Sequence, residues 1–169
     1  MPRLPGLLRV CACAALVVSG CAYTFNPSSV PSHIKTLEIP VLGNRTLEPA
    51  LAEEITRELT DRFLRDNTLR VVQKDGDAVL EGEITGYQDR VFGFNADEKA
   101  DEYIVLLTVK LVLRDRVKNK ELWSEEQVQG RTSYFLGAAE SAVNSEDKAR
   151  TLAIKQVVDF ALARSVEGW

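Results

Sequence analysis

Histidine and methionine each occur once in this 169-residue chain, as His33 and Met1, and all three cysteines fall within the first 21 residues. A Ser-His-Asp triad or a histidine-rich metal centre needs an imidazole among carboxylates or further ligands. His33 instead lies in a stretch rich in proline and serine, beside no cysteine or carboxylate cluster. The glycines form neither a P-loop nor a dinucleotide fingerprint, which removes the two commonest phosphate cradles. No apolar run approaches the ~20 residues of a membrane-spanning helix. A formal charge of −4 argues against bulk attraction to nucleic acid. Asp97, Glu98, Asp101 and Glu102 lack the alternating ligands and obligatory glycine of an EF-hand and read as a solvated loop. Glu81 and Glu83 read as the wet side of a strand rather than a hydrolytic carboxylate pair. The expectation is a protein that is not an enzyme and holds no metal.

What is present starts at the N-terminus. Arg3 and Arg9 supply a positive segment ahead of a nine-residue apolar stretch over residues 10–18, too short to span a bilayer but suited to a signal peptide. It closes in Val18-Ser19-Gly20-Cys21, the pattern of a lipobox cut by signal peptidase II. An ordinary secretory peptide or a buried helix leaves the cysteine directly after Ser-Gly unexplained. Residues 1–20 are therefore expected to be removed, leaving 149 residues that begin at a lipidated Cys21, carrying N-acyl diglyceride with palmitate-type chains. At about 0.8 kcal/mol per buried CH₂, several acyl chains anchor stably where one short chain would not. Cys11 and Cys13 leave with the signal peptide, so no disulfide can form, and the formal charge moves to −6. Ala22 differs from the aspartate that resembles an inner-membrane retention signal, which favours the periplasmic side of the outer membrane.

Residues 21–33, with Pro27, Ser28, Ser29 and Pro31, read as a tether, and residues 34–169 as one domain. Leu37, Ile39 and Val41 alternate with polar neighbours in a first strand, which Pro40 confines to a strand end or open edge. After a turn at residues 43–46, Pro49 suits the opening of a helix in which Leu51, Ile55, Leu59 and Phe63 recur every fourth residue as far as Asn67. A brief strand at residues 69–72, a turn at Asp75-Gly76 and a longer strand over residues 78–91 follow. Beyond the loop at residues 95–102, Tyr103, Val105, Leu107, Val109, Leu111 and Leu113 share one strand face, and the turn at residues 118–120 returns the chain through Leu122 and Trp123 toward Tyr134. Asn144 or Ser145 caps a closing helix over residues 146–166, whose wide apolar arc includes Ala149, Ala153, Ile154, Val157, Val158, Phe160 and Ala161. The economical architecture is an α+β two-layer sandwich, two helices on one face of a four- to five-stranded mixed sheet.

Two clusters are candidate sites. Lys110, Arg114, Arg116 and Lys118 have even spacing and are expected on one face of the hairpin, opposite the apolar ladder, with Lys120 just past the turn. They could hold the phosphates of an acidic glycolipid, or Glu125 or Glu126 could pair across to them. Tyr23 and Phe25 beside the lipid are candidate interfacial or partner contacts. Tyr134 and Phe135, with Leu136, either insert into a partner or fold back on the core.

The lipobox, Tyr23-Thr24-Phe25, the strand at residues 34–42, Asn44-Arg45-Thr46, Glu48-Pro49, the stretch at residues 78–87 and the ending Glu167-Gly168-Trp169 together make the chain similar to the LPS-assembly lipoproteins of the LptE family. That resemblance implies a plug inside the outer-membrane β-barrel LptD, which supports barrel assembly, binds lipopolysaccharide and assists its delivery to the outer leaflet. It makes the basic hairpin, Arg114, Arg116 and Lys118 above all, a plausible glycolipid contact. The strand, Asn-Arg-Thr and helix pattern also resembles envelope lipoproteins of curli secretion and of penicillin-binding-protein activation, which would make the protein a periplasmic adaptor of another machine.

Overall fold

The computed structural model describes residues 30–166. Cys21, Tyr23 and Phe25 at one end, and Glu167-Gly168-Trp169 at the other, lie outside the described residues. In chain order the elements are β1 (Thr36–Glu38), β2 (Gly43–Asn44), α1 (Leu51–Asp66), β3 (Arg70–Val72), β4 (Ala78–Phe94), β5 (Ala100–Asp115), β6 (Lys120–Phe135) and α2 (Glu146–Val166). Among the described residues they make one mixed sheet of six strands in the order β3-β1-β4-β5-β6, with β2 beside β4 off that path, and two helices packed on it.

The sheet is built around β5. Its residues Val105, Leu107, Val109, Leu111 and Leu113 are buried on one face, as their alternation requires, against Leu51, Ile55, Leu59 and Phe63 of α1 and Ala149, Ala153, Val157 and Ala161 of α2. Small residues let α2 lie close to the sheet: a Cβ added to Gly130 of β6 would stand 2.0 Å from the carbonyl oxygen of Ala153. α1 ends at Asn67 in the left-handed region (φ 59°), its N–H donating to the Phe63 carbonyl. Ser145 takes the capping position of α2, its Oγ accepting the Lys148 N–H at 3.4 Å.

Several expectations are corrected. β1 spans three residues rather than the full alternating run, because Pro40 has no N–H to donate. The chain turns there: Val41 is exposed and Leu42 is buried in its place, its N–H donating to Thr56 Oγ1 at 3.1 Å. Pro49 precedes α1, which starts at Leu51, and β5 begins at Ala100, inside the expected loop. Phe160 is partly exposed rather than part of the buried arc of α2. His33 is not isolated: its Nε2 lies 2.7 Å from Oδ2 of Asp115, whose side chain is buried. Val30, within the expected tether, is likewise in the core, together with Ile34 where the domain was expected to begin.

Candidate functional site

The sheet has two ends of different chemistry. At the basal end, around the β5–β6 turn, lie the five cations singled out in the sequence. Only Lys110 and Arg114 sit on β5; Arg116 and Lys118 fall beyond its last residue, Asp115, in the turn. Lys110 Nζ is 2.6 Å from Glu126, Arg114 is 3.3 Å from Glu81 and 3.8 Å from Glu121, and Arg116 is 2.7 Å from Glu38. Three of the five are thus held by glutamates from β1, β4 and β6. Lys118 and Lys120 are exposed, and their side chains have no ion pair among the described residues.

Two aspartates fasten the start of the domain to this end. Asp77 accepts the N–H groups of Lys35 and Thr36, each at 2.9 Å, and the Lys35 bond leads in holding its carboxyl below the usual range. Burial works to raise the Asp115 carboxyl, but the Lys118 N–H and the His33 ring outweigh it and hold it low.

At the distal end, β4, β5 and β6 run on together past the shorter strands. Tyr134 belongs to the core here: it is buried, stacks on Tyr103 with ring centroids 5.3 Å apart, and donates to Asp89 at 3.0 Å. Burial, and then the acceptor Asp89, raise its phenol above the ordinary tyrosine value. Phe135 and Leu136 next to it are exposed, the Phe135 N–H donating to the Val143 carbonyl. The expected aromatic pair is therefore split between core and surface.

Sequence reasoning missed the neighbours that complete this end. Phe92 and Phe94 on β4 are 52% and 67% exposed. Arg131 of β6 sets its guanidinium 5.5 Å from the centre of the Phe92 ring, on the face away from the helices. Arg90 shares that face, since its register partner Ile104 lies two residues from Leu106, the partner of Arg131, and so points the same way. Arg90 is exposed and has no ion pair among the described residues. Glu102 lies at the same end, so the patch is amphipathic rather than broadly basic. Cations beside exposed rings can take an anionic group and an apolar chain together, which the paired basal cations cannot do without losing their glutamates. The signal in the sequence was the loss of alternation at Val91-Phe92-Gly93-Phe94, where no polar residue separates the apolar ones.

Residues 34–164 match the family model described as LptE, lipopolysaccharide-assembly. The chain belongs to the LptE family. Comparison with curated proteins gives no significant match. Among solved structures, CT253 of Chlamydia trachomatis has 12% identity and a TM-score of 0.55, covering 78% of this chain and 95% of that one, and shares the fold. Rare lipoprotein B of Shewanella oneidensis is similar at 15% identity, 77% and 96% coverage and a TM-score of 0.49. Lipoprotein B of Nitrosomonas europaea is similar at 16% identity, 78% and 84% coverage and a TM-score of 0.49. Family membership makes this LptE-family chain an LPS-assembly lipoprotein, a class defined by assembly rather than by a reaction. No described helix is long and apolar enough to cross a membrane.

Proposed function

We propose that this LptE-family protein is anchored in the outer membrane through lipidated Cys21, sits as a plug in the LptD barrel, binds lipopolysaccharide and assists its passage to the outer leaflet. The observation that carries this reading is the family match over residues 34–164. The lipobox supports the anchor, and Tyr23 and Phe25 beside it are assigned to the membrane or barrel contact.

The distal patch supports the glycolipid part. Lipopolysaccharide presents phosphates next to acyl chains, and Arg90 and Arg131 beside Phe92, Phe94 and Phe135 offer the complementary pair of chemistries. We therefore move the principal contact from Lys110, Arg114 and Arg116 to Arg90 and Arg131, and leave Lys118 and Lys120 as secondary anion contacts.

Mild-detergent isolation of the tagged, lipidated protein from its own outer membrane is expected to bring the LPS-assembly barrel at stoichiometric yield. A synthase or a homo-oligomeric pore in its place would overturn the plug reading in favour of an adaptor. For the glycolipid, Arg90→Asp with Arg131→Asp is expected to weaken binding of purified lipopolysaccharide at least ~10-fold, the scale of about 1.4 kcal/mol, with an unchanged thermal midpoint. Arg114→Asp with Arg116→Asp is expected to leave that binding largely intact. The reverse ranking would return the site to the basal hairpin.

A further inference from the structure

β4 is bordered by β5 along its length, but on its other side only briefly. There β1 meets Ala78 and Val79, β2 meets Glu83 and Ile84, and the Arg45 N–H donates to the Ile84 carbonyl at 3.0 Å. Over residues 85–94 that edge has no strand partner among the described residues. At about 3.3 Å per residue this is roughly 33 Å of main-chain donors and acceptors facing outward.

The opposite edge of the sheet is treated differently. On β6 the side-chain amide of Gln156 accepts the Arg131 N–H at 2.9 Å and donates to the Arg131 carbonyl at 3.0 Å, standing in for a neighbouring strand, and the Val143 carbonyl takes the Phe135 N–H. Among the described residues the fold meets the β6 edge with its own groups at Arg131 and Phe135 and leaves residues 85–94 of β4 open.

The open edge also has a side-chain receptacle at its basal end. Arg45, Thr46, Leu47 and Glu48 on one side and Thr85, Gly86 and Tyr87 on the other line a groove of about 350 Å³. Its rim is rigid. Asn44 Oδ1 accepts both the N–H and the hydroxyl of Thr46, at 2.9 and 2.8 Å, and Asn44 Nδ2 donates to the Glu48 carbonyl at 2.7 Å. This loop presents Leu47 at 97% exposure. An edge of main-chain groups ending in a pocket is the arrangement by which strand addition gains affinity from the one and selectivity from the other.

We infer that residues 85–94 of β4 receive an extended segment of a different polypeptide as an added strand, with one of its side chains in the groove beside Leu47. Resting on the function proposed above, that segment belongs to the LptD barrel protein. A closed barrel wall has no free edge, so the segment comes from a loop or terminus outside the wall. A second copy of this chain fits poorly: antiparallel self-pairing that uses most of the edge centres on Asp89 or Arg90 and sets like charge directly opposite like charge.

The test is amide hydrogen exchange on the full lipidated protein, alone and in the isolated barrel complex. Alternate amides of residues 85–94 are expected to exchange at least ~10-fold more slowly in the complex, the signature of new main-chain bonds, whereas Arg131 and Phe135 of β6 do not change. In parallel, a photo-crosslinking side chain at Gln88 is expected to give a product with the barrel protein, and one at Gln129 of β6 none. An intact complex with unchanged β4 exchange and no Gln88 product overturns the inference alone. A Gln88 product between two copies of this chain overturns it in favour of self-pairing. Failure to isolate any barrel complex overturns the functional reading, and this inference with it.

Discussion

The basal and distal halves of the sheet use the same three long strands to opposite ends. In the basal half β4 has neighbours on both sides, the helix-facing side chains are buried, and Lys110, Arg114 and Arg116 are matched to Glu38, Glu81, Glu121 and Glu126. In the distal half β1 and β2 have ended, one edge of β4 has no strand partner among the described residues, and Phe92, Phe94, Phe135 and Leu136 face solvent beside Arg90 and Arg131. Stability is concentrated where groups are satisfied within the chain, and the groups left unmatched are those to which we assign recognition. Exposed apolar side chains clustered at one end carry that meaning, whereas the same residues scattered singly would not.

Leu111→Ala tests this division most severely. Leu111 is wholly buried in the basal core, and its truncation is expected to cost about 2–5 kcal/mol through lost transfer energy and the cavity left behind. Phe94→Ser at the distal end removes a larger side chain and is expected to change stability by no more than about 0.5 kcal/mol. Urea unfolding of both variants reads the contrast; equal losses would show that the distal end is folded into the same core.

Two glycines sharpen it at smaller amplitude. A Cβ on Gly130 would collide with the Ala153 backbone, so Gly130→Ala must push α2 off the sheet, at about 1–3 kcal/mol. A Cβ on Gly86, where the free edge begins, would meet Thr108 no closer than 3.7 Å, an ordinary contact, and Gly86→Ala is expected to stay within about 0.5 kcal/mol. Thermal midpoints of the pair decide whether helix packing is the tighter constraint.

Much of this division was legible beforehand, and what was not has a common cause. The ladder from Val105 to Leu113, the fourfold spacing of α1 and the limits of α2 are local periodicities, and the structure reproduces them. The pairing of Arg116 with Glu38 joins residues 78 apart, that of Arg114 with Glu81 joins residues 33 apart, and His33 meets Asp115 across 82. Even spacing placed Lys110 and Arg114 on one strand face correctly, and the hairpin offered Glu126 across from them, but nothing local reported that β4 would bring Glu81 beside Arg114 or β1 bring Glu38 beside Arg116. The distal patch was hidden for the same reason. Whether Phe92 and Phe94 are covered depends on where β1 and β2 stop, and Pro40 and the Asn44 turn set that some fifty residues upstream.

Acid titration probes the fastening of the basal end. The Asp77 and Asp115 carboxyls are both held below their ordinary value, so each stays charged in the folded chain where an unfolded aspartate, at about pH 3.9, takes up a proton. The unfolded chain then binds more protons, and stability rises with pH across that window. Their contribution is fully present above about pH 4 to 5 and drains away as pH falls through the depressed folded values. Urea midpoints measured down this range are expected to fall less steeply for Asp77→Asn than for the wild-type chain. Parallel curves would mean that the Lys35 and Thr36 bonds do not distinguish the charged carboxylate.

A small effect also belongs to the cation that the sequence made most prominent. Arg114 reaches Glu81 at 3.3 Å and Glu121 at 3.8 Å, but about half of each side chain is open to water. Exposed pairs of this kind gain little Coulomb energy and give part of it back in side-chain order, so Arg114→Ala is expected to cost about 0–1 kcal/mol, less in high salt. It also leaves Glu81 and Glu121 without their cation, making the basal face more acidic. If that face were the glycolipid contact, the variant would weaken lipopolysaccharide binding well beyond its effect on folding. If the distal face is, binding moves little while Arg90→Asp with Arg131→Asp weakens it at least ~10-fold. Binding and unfolding measured on the same Arg114→Ala preparation therefore separate a cation that organises the surface from one that recognises a ligand.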